Sequence, residues 1–211
     1  MSGATEAVAT RDADARARDT DTRARIVATA ERLFREIGFQ KTTVADIARD
    51  LRMSPANVYR FFGSKAEIHV AVARHLMGEA EAAAQAIASG PGSASDRLRA
   101  LVLGNEQMNA SRYLADRKMH EMVEAALEQH WPVISEHIDR LDAIYESVVA
   151  SGMESGEFAK GDPRLAARLV HLSCIRFCHP RLMVEYADRP EPTSAQMIEF
   201  CLAALRAGVE A

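Results

Sequence analysis

The sequence has few of the residues that build β-sheets, disulfide scaffolds or membrane spans. Only 6% of its 211 residues are aromatic, and no run rich in Val, Ile and Thr alternates with polar residues as strands do. Its three cysteines are an odd number without the spacing of a disulfide scaffold. Neither a run of about 18 apolar residues nor a charged-then-apolar leader is present. These absences predict an all-α protein of the reducing cytoplasm with no membrane segment.

Residues 43–65 carry the start signals of three closely spaced helices. Thr43 can cap the first, Ser54 followed by a proline can begin the second, and Ser64 with Glu67 forms a capping box for a longer third helix. A short helix, a tight turn and a second short helix form the usual helix-turn-helix, whose second helix enters the DNA major groove. The spacing therefore makes double-stranded DNA the first partner to consider.

Residues 22–67 resemble the DNA-binding domain of the TetR family of bacterial regulators. The match comprises, in order, a first helix ending at Gly38-Phe39, the segment 42–48, and the segment 58–65 with its aromatic pair Phe61-Phe62. Arg52 departs from the family pattern, since it stands at the turn position where the family commonly has glycine. A left-handed backbone at this position would cost arginine about 1 kcal/mol more than glycine.

Helix signals divide the chain into three parts. Residues 1–20 lack apolar periodicity and are expected to be a disordered tail, although Arg11, Arg16 and Arg18 could reach a minor groove. Residues 21–66 are expected to form the three-helix DNA-binding domain. Residues 67–211 are expected to form a larger helical domain for effector binding and dimerisation, with helices that follow the segment 90–93 at about 96–109, 112–129, 132–151, 163–178 and 194–207.

The net charge of −4 is distributed unevenly along the chain. Residues 22–65 contain nine basic and four acidic side chains, whereas residues 66–211 contain 14 basic and 21 acidic ones. Phosphate contacts supply most of the non-specific affinity for DNA, so a basic segment that coincides with a helix-turn-helix favours DNA binding.

Candidate DNA contacts follow from the chemistry of the second short helix. Arg60 can bond guanine in a bidentate manner and Asn57 can bond adenine, while Pro55 and Ala56 could touch a thymine methyl group. Tyr59 could donate its hydroxyl group to a phosphate. The resemblance adds Thr43 and Lys65, which lie where family members commonly hold the DNA backbone. Val58, Phe61 and Phe62 are expected in the core.

Two apolar stripes near the C-terminus predict a homodimer, because the family dimerises through its last two helices and a helix-turn-helix reads DNA as a two-fold pair. The alternative is that both stripes only close the core of one copy. They comprise Leu165, Leu169 and Leu172 with Ile175 or Arg176, and Met197, Ile198, Cys201, Leu202 and Leu205.

The resemblance also implies a small-molecule effector that binds in the second domain and releases DNA. Apolar and adaptable side chains with a few polar groups are suitable for such a pocket. The candidates are Met108, Tyr113, Met119, His120, Met122, Val123, Trp131, His137, Tyr145 and Phe177. The predicted function is therefore a DNA-binding transcriptional regulator, a repressor that binds a palindromic operator and is released by an effector.

Two other functions have some support in the sequence. His171, Cys174 and Cys178 recur on one helical face and could make a metal- or thiol-gated regulator, although thiols on an apolar helix usually pack. An enzyme is not expected, because His120-Glu-Met-Val-Glu124 lacks the second histidine of a zinc-protease motif and no nucleotide-binding glycine motif is complete. No catalytic residue, metal site or cofactor is therefore predicted.

Overall fold

The computed structural model describes residues 2–114, 117–129, 131–189 and 191–208, and all regular structure within these ranges is helical. The chain separates into two compact units, Met1–His75 and Leu76–Ala211. No helix in the described ranges is both long and apolar enough to cross a membrane. The helices are α1 (Ser2–Ile37), α2 (Val44–Asp50), α3 (Pro55–Phe61), α4 (Lys65–Ala88), α5 (Ala94–Asn109), a π-helical turn (Ala110–Leu114), α6 (Arg117–Gln129), α7 (Trp131–Glu154), α8 (Pro163–Cys178), α9 (Pro180–Glu185) and α10 (Ser194–Ala207).

The N-terminal segment differs from the prediction of a disordered tail, because residues 2–20 form the first part of α1. Alanine recurs throughout this stretch, and no glycine or proline interrupts it between residue 4 and the end of α1. Helix propensity therefore continues where apolar periodicity does not. Arg16 and Arg18, two of the arginines that could reach a minor groove, are exposed on α1, while the side chain of Arg11 lies outside the described residues.

The caps of the first unit follow the predicted chemistry, with one difference. Thr43 forms a reciprocal capping box with Asp46, and the Ser54 side chain accepts a hydrogen bond from the N–H of Asn57. At α4, Ser64 accepts from the N–H of Glu67, but the Glu67 carboxylate accepts from the N–H of Gly63 at 2.9 Å. The hydrogen bond to the Glu67 carboxylate therefore comes from the N–H of Gly63 and not, as in the predicted capping box, from that of Ser64.

An aromatic group around Phe39 forms the centre of the first unit. Phe34 meets Phe39 edge-on at 5.3 Å, and the buried His69 ring stacks on Phe39 at 4.1 Å. Val58, Phe61 and Phe62 are buried as expected. Helices α1, α2 and α3 and the start of α4 therefore share one core, and the aromatic contacts add to the apolar area that they bury.

The second unit has one hydrophobic core built from α4, α5, α7, α8 and α10. The bounds predicted for α8 and α10 are confirmed, whereas the π-helical turn and α9 were not predicted. The dimer stripe proposed on α10 is partly wrong, because Ile198, Cys201, Leu202 and Leu205 are buried in this core. Periodicity identifies an apolar face of a helix, but it cannot tell whether that face meets the same copy or another.

Two helical glycines give a matched test of this packing. A Cβ atom at Gly152 in α7 would lie 2.2 Å from Phe158 Cδ2 and 2.9 Å from Ala94 Cβ, whereas a Cβ atom at Gly78 in α4 would meet nothing within 4 Å. We expect Gly152→Ala to lower the free energy of unfolding by about 1–3 kcal/mol through overpacking. Gly78→Ala should raise it by about 0.4–1 kcal/mol through helix propensity. Urea denaturation of both variants would measure the difference, and equal effects would contradict this packing.

Candidate DNA-binding surface

Helix α3 separates its candidate DNA contacts from its core side chains. Pro55, Ala56 and Arg60 are exposed, and Tyr59 is 51% exposed, whereas Val58 is fully buried. The buried residues anchor one side of the helix, so the opposite side faces solvent along its whole length. The structure therefore places the predicted base-reading side chains together on one accessible helical surface, which has the form that a major groove requires.

The two predicted base-reading side chains have contacts of their own. The guanidinium of Arg60 lies 4.7 Å from the centre of the Phe61 ring and 3.5 Å from the carboxylate of Asp19. The amide of half-buried Asn57 lies 3.7 Å from the sulfur of Met53, which is a weak acceptor. Both side chains are consequently held near α3 by weak contacts that a stronger acceptor on a base could replace.

Thr43 takes part in the cap of α2. Its hydroxyl donates to Asp46 Oδ2 at 2.6 Å, and its backbone N–H donates to the same oxygen at 2.9 Å. These hydrogen bonds from Thr43 hold the pKa of Asp46 below its usual value, and Arg49 adds to the effect. The predicted role of Thr43 in DNA contact would therefore compete with its structural role at this helix start.

Lys65 is directed toward the turn between α1 and α2. Its ammonium donates to the carbonyl oxygen of Phe39 at 2.6 Å and to that of Gln40 at 3.3 Å, and it lies 4.6 Å from the centre of the Phe39 ring. Partial burial lowers the pKa of the Lys65 ammonium. The sequence motif predicts only a phosphate contact for Lys65, because these hydrogen bonds join residues 26 and 25 positions apart, a separation that local patterns do not reveal.

The turn between α2 and α3 has the left-handed backbone predicted from the family pattern. Arg52 has φ 55°, and the next N–H, of Met53, bonds the carbonyl oxygen of Ala48 at 2.9 Å. This conformation costs an arginine about 1 kcal/mol more than glycine, and it leaves a cation exposed beside α3. Arg49, with 76% of its side chain exposed, and Lys41 are further exposed cations of this unit, and no local motif marks either of them as a DNA contact.

The effector candidates lie in the second unit at different depths. Four are buried and five are partly buried, while the side chain of Trp131 lies outside the described residues. Tyr145 Oη and His120 Nδ1 are buried without a hydrogen-bond partner in the described part of the chain. The buried four are Met119, Met122, Tyr145 and Phe177, and the partly buried five are Met108, Tyr113, His120, Val123 and His137.

One recess of the second unit is lined by none of these candidates. It has a volume of about 10 Å³, room for about one water molecule, and it is lined by residues that include Met153, Lys160 and Leu165. His137 Nδ1 is instead 2.7 Å from Glu81 Oε1, an interaction that burial opposes by lowering the histidine pKa. Tyr145 and His120 are likewise absent from the lining of this recess.

The possible metal or thiol site has other contacts. His171 Nδ1 is 2.5 Å from Asp142 Oδ1, and its ring stacks on Tyr145 at 5.2 Å. The neighbouring Cys201 thiol of α10 raises the pKa of Cys174, and burial raises the pKa of Cys178 to about 12. The described residues contain no group of three ligands arranged to hold a metal ion. In this geometry the three side chains pack and pair with neighbours on α7 and α10.

Comparisons with known proteins agree with the architecture of both units. The family model "Bacterial regulatory proteins, tetR family" matches residues 26–72, and "Tetracyclin repressor-like, C-terminal domain" matches residues 94–198. Together these matches cover more than half of the chain and include both the helix-turn-helix and most of the second unit. A comparison with curated proteins found no match.

Solved structures with the same fold include three transcriptional regulators. A regulator of the TetR/AcrR family from Thermobifida fusca is 24% identical, with 90% of this chain and 100% of that chain covered and a TM-score of 0.56. A TetR-family regulator from Pectobacterium atrosepticum is 19% identical, with 91% and 94% covered and a TM-score of 0.63. The regulator FadR from Bacillus subtilis, solved with stearoyl-CoA, is 18% identical, with 89% and 99% covered and a TM-score of 0.59. At these identities the similarity establishes the fold.

A lysine pair tests the structural role of Lys65. We expect Lys65→Ala to lower the free energy of unfolding by about 1–2 kcal/mol, because it removes a charge-assisted hydrogen bond to a backbone carbonyl at a partly exposed site. Lys41→Ala removes an exposed cation of the same unit and should change stability by less than about 0.5 kcal/mol. Chemical denaturation would compare them. If the two variants were equally stable, the contact with Phe39 would not hold the unit together.

Proposed function

The chain belongs to the TetR family of bacterial transcriptional regulators, and from this premise we propose that it is a cytoplasmic repressor. In this proposal a homodimer binds a palindromic operator and a small-molecule effector releases it. Membership of the TetR family establishes that the chain is a DNA-binding regulator with a helix-turn-helix and a helical C-terminal domain. The observation that carries the proposal is the solvent-facing side of α3, where Arg60 and Tyr59 stand exposed above the buried Val58.

Each candidate contact has a distinct role in the proposed complex. Arg60 and Asn57 read base edges, Pro55 and Ala56 touch thymine methyl groups, and Tyr59 bonds a phosphate. Thr43 and Lys65 lie at helix starts, where backbone N–H groups favour an anion. Since both also hold the first unit together, their contribution to DNA binding includes keeping α2 and α3 in place.

Variants of α3 and α4 separate base reading from backbone contact. Arg60→Ala and Asn57→Ala should each cost about 1–3 kcal/mol on a duplex selected by the wild-type protein and much less on a mixed-sequence duplex. Lys65→Ala should weaken both duplexes by about the same factor. Gel-shift titrations would measure all six affinities. Equal losses for the three variants on both duplexes would contradict this division of roles.

The support for a homodimer lies on α8 and α10. Leu165, Leu169 and Leu172 are 37%, 42% and 54% exposed along one side of α8, and Phe200 of α10 is 72% exposed. Large apolar side chains in such a row are costly to leave in water and are typical of an interface. The proposed dimer surface is therefore the outer side of α8 together with Phe200, while the buried stripe of α10 closes the core.

Charge substitution on this surface tests the dimer. Leu169→Glu and Phe200→Glu should each raise the dimer dissociation constant at least about 100-fold, because a carboxylate would be buried without a partner. Leu103→Glu places the same charge at a 39% exposed leucine of α5 and should leave assembly unchanged. Sedimentation equilibrium would give the three constants. Dimers of normal affinity in both surface variants would place the interface elsewhere.

The proposed effector site lies in the second unit around the buried polar atoms. Tyr145 Oη is enclosed by core side chains and has no hydrogen-bond partner among the described residues, and burial raises the Tyr145 pKa well above its usual value. A buried hydroxyl without a partner costs about 1–3 kcal/mol, which a ligand that bonds it would recover. Phe177 belongs to the same hydrophobic core as Tyr145, and we propose that it lines the site together with the buried Met119 and Met122 of α6.

Removing the Tyr145 hydroxyl should have opposite effects on the free and the effector-bound protein. We expect Tyr145→Phe to raise the free energy of unfolding of the free protein by up to about 1 kcal/mol, because the unpaired polar group is lost. The same variant should bind an inducer found by thermal-shift screening about ten-fold more weakly, since one buried hydrogen bond is absent. Tyr186→Phe, on a partly exposed ring, is the control. If Tyr145→Phe bound the inducer with unchanged affinity, Tyr145 would not belong to the effector site.

A further inference from the structure

An acidic side chain of α1 lies beside the main candidate for base recognition. Asp19 Oδ1 is 3.5 Å from the guanidinium of Arg60, across 41 residues of sequence. Both side chains are largely exposed, at 61% and 66% respectively. A carboxylate is unexpected at this position, because the phosphates of a bound duplex would repel it.

A second contact shows that this segment of α1 has a defined position against the end of α3. Arg23 lies one helical turn after Asp19, on the same side of α1, and its guanidinium sits 5.1 Å from the centre of the Phe62 ring. Phe62 is buried and directly follows α3. Asp19 and Arg23 therefore face the last turn of α3 together, which sets the carboxylate within reach of Arg60.

We propose that Asp19 holds Arg60 away from DNA and so limits the affinity of the protein for its operator. This inference rests on the proposed role of Arg60 in reading DNA. The Asp19 carboxylate attracts the Arg60 guanidinium toward α1, whereas two parallel hydrogen bonds to a guanine require the guanidinium to be directed at the base. Asp19 thus competes with the base for the guanidinium of Arg60. Mixed-sequence DNA offers weaker hydrogen bonds to Arg60 than the operator does, so it displaces Asp19 less readily.

The experiment compares two substitutions that change net charge equally. Asp19→Asn removes the carboxylate beside Arg60. Asp21→Asn removes an exposed carboxylate on the opposite side of α1, and Asp21 forms no ion pair among the described residues. Affinities of the full-length variants would be measured by fluorescence anisotropy. The probe is a duplex selected by the wild-type protein from a randomised 30-base-pair pool, with a mixed-sequence duplex of the same length as reference.

Asp19→Asn should raise the affinity for the selected duplex about two- to five-fold more than Asp21→Asn does, counted per copy of the chain. This is the range expected for the loss of one exposed ion pair. In an Arg60→Ala background the two substitutions should have the same effect. Equal gains in the wild-type background, or weaker binding by Asp19→Asn, would overturn the proposal. If the wild-type protein selects no duplex, the proposed DNA recognition itself fails, which separates the two conclusions.

Discussion

The Lys65 ammonium and the Phe39 backbone form the contact on which the geometry of the first unit depends. The bond of 2.6 Å joins the first residue of α4 to the turn that follows α1, and α2 and α3 are the chain between these two points. Phe39 also contacts Phe34 and His69, so the same residue links the polar contact to the aromatic core. The position of α3 is therefore fixed at both ends, while its outer side stays open to solvent.

This constraint explains why the first unit tolerates an unfavourable backbone conformation at Arg52. Arg52 has a backbone conformation that favours glycine, and its N–H bonds the carbonyl oxygen of Arg49 within the turn. A strained turn of this kind persists when the helices on both sides of it are held firmly. Here the caps at Thr43 and Ser54 and the buried side chain of Val58 hold α2 and α3 in place. The turn then sets the angle between α2 and α3, and an exposed cation stands where a phosphate could lie.

Local signals in the sequence predicted most of the helices, because a cap or a helix stop involves neighbouring residues only. Thr43, Ser54 and Gly38 acted as expected, and the bounds of α8 and α10 agree with the structure. Contacts between distant segments were not predictable in the same way. The direction of Lys65 depends on where the fold places the carbonyl of Phe39, and the buried stripe of α10 depends on which helices cover it. The candidate contacts on α3 could be named because their exposure follows from one amphipathic helix.

The most direct test of the account is the salt dependence of DNA binding by the unmodified chain. Affinity for a duplex selected from a randomised pool would be measured between 50 and 200 mM salt. Because the exposed cations of the first unit should displace counterions from phosphates, the logarithm of the association constant should fall linearly with the logarithm of salt concentration, with a slope of about −0.9 per phosphate contact. A duplex affinity that does not change over this range, or no binding to any duplex, would contradict the assignment of this surface to DNA.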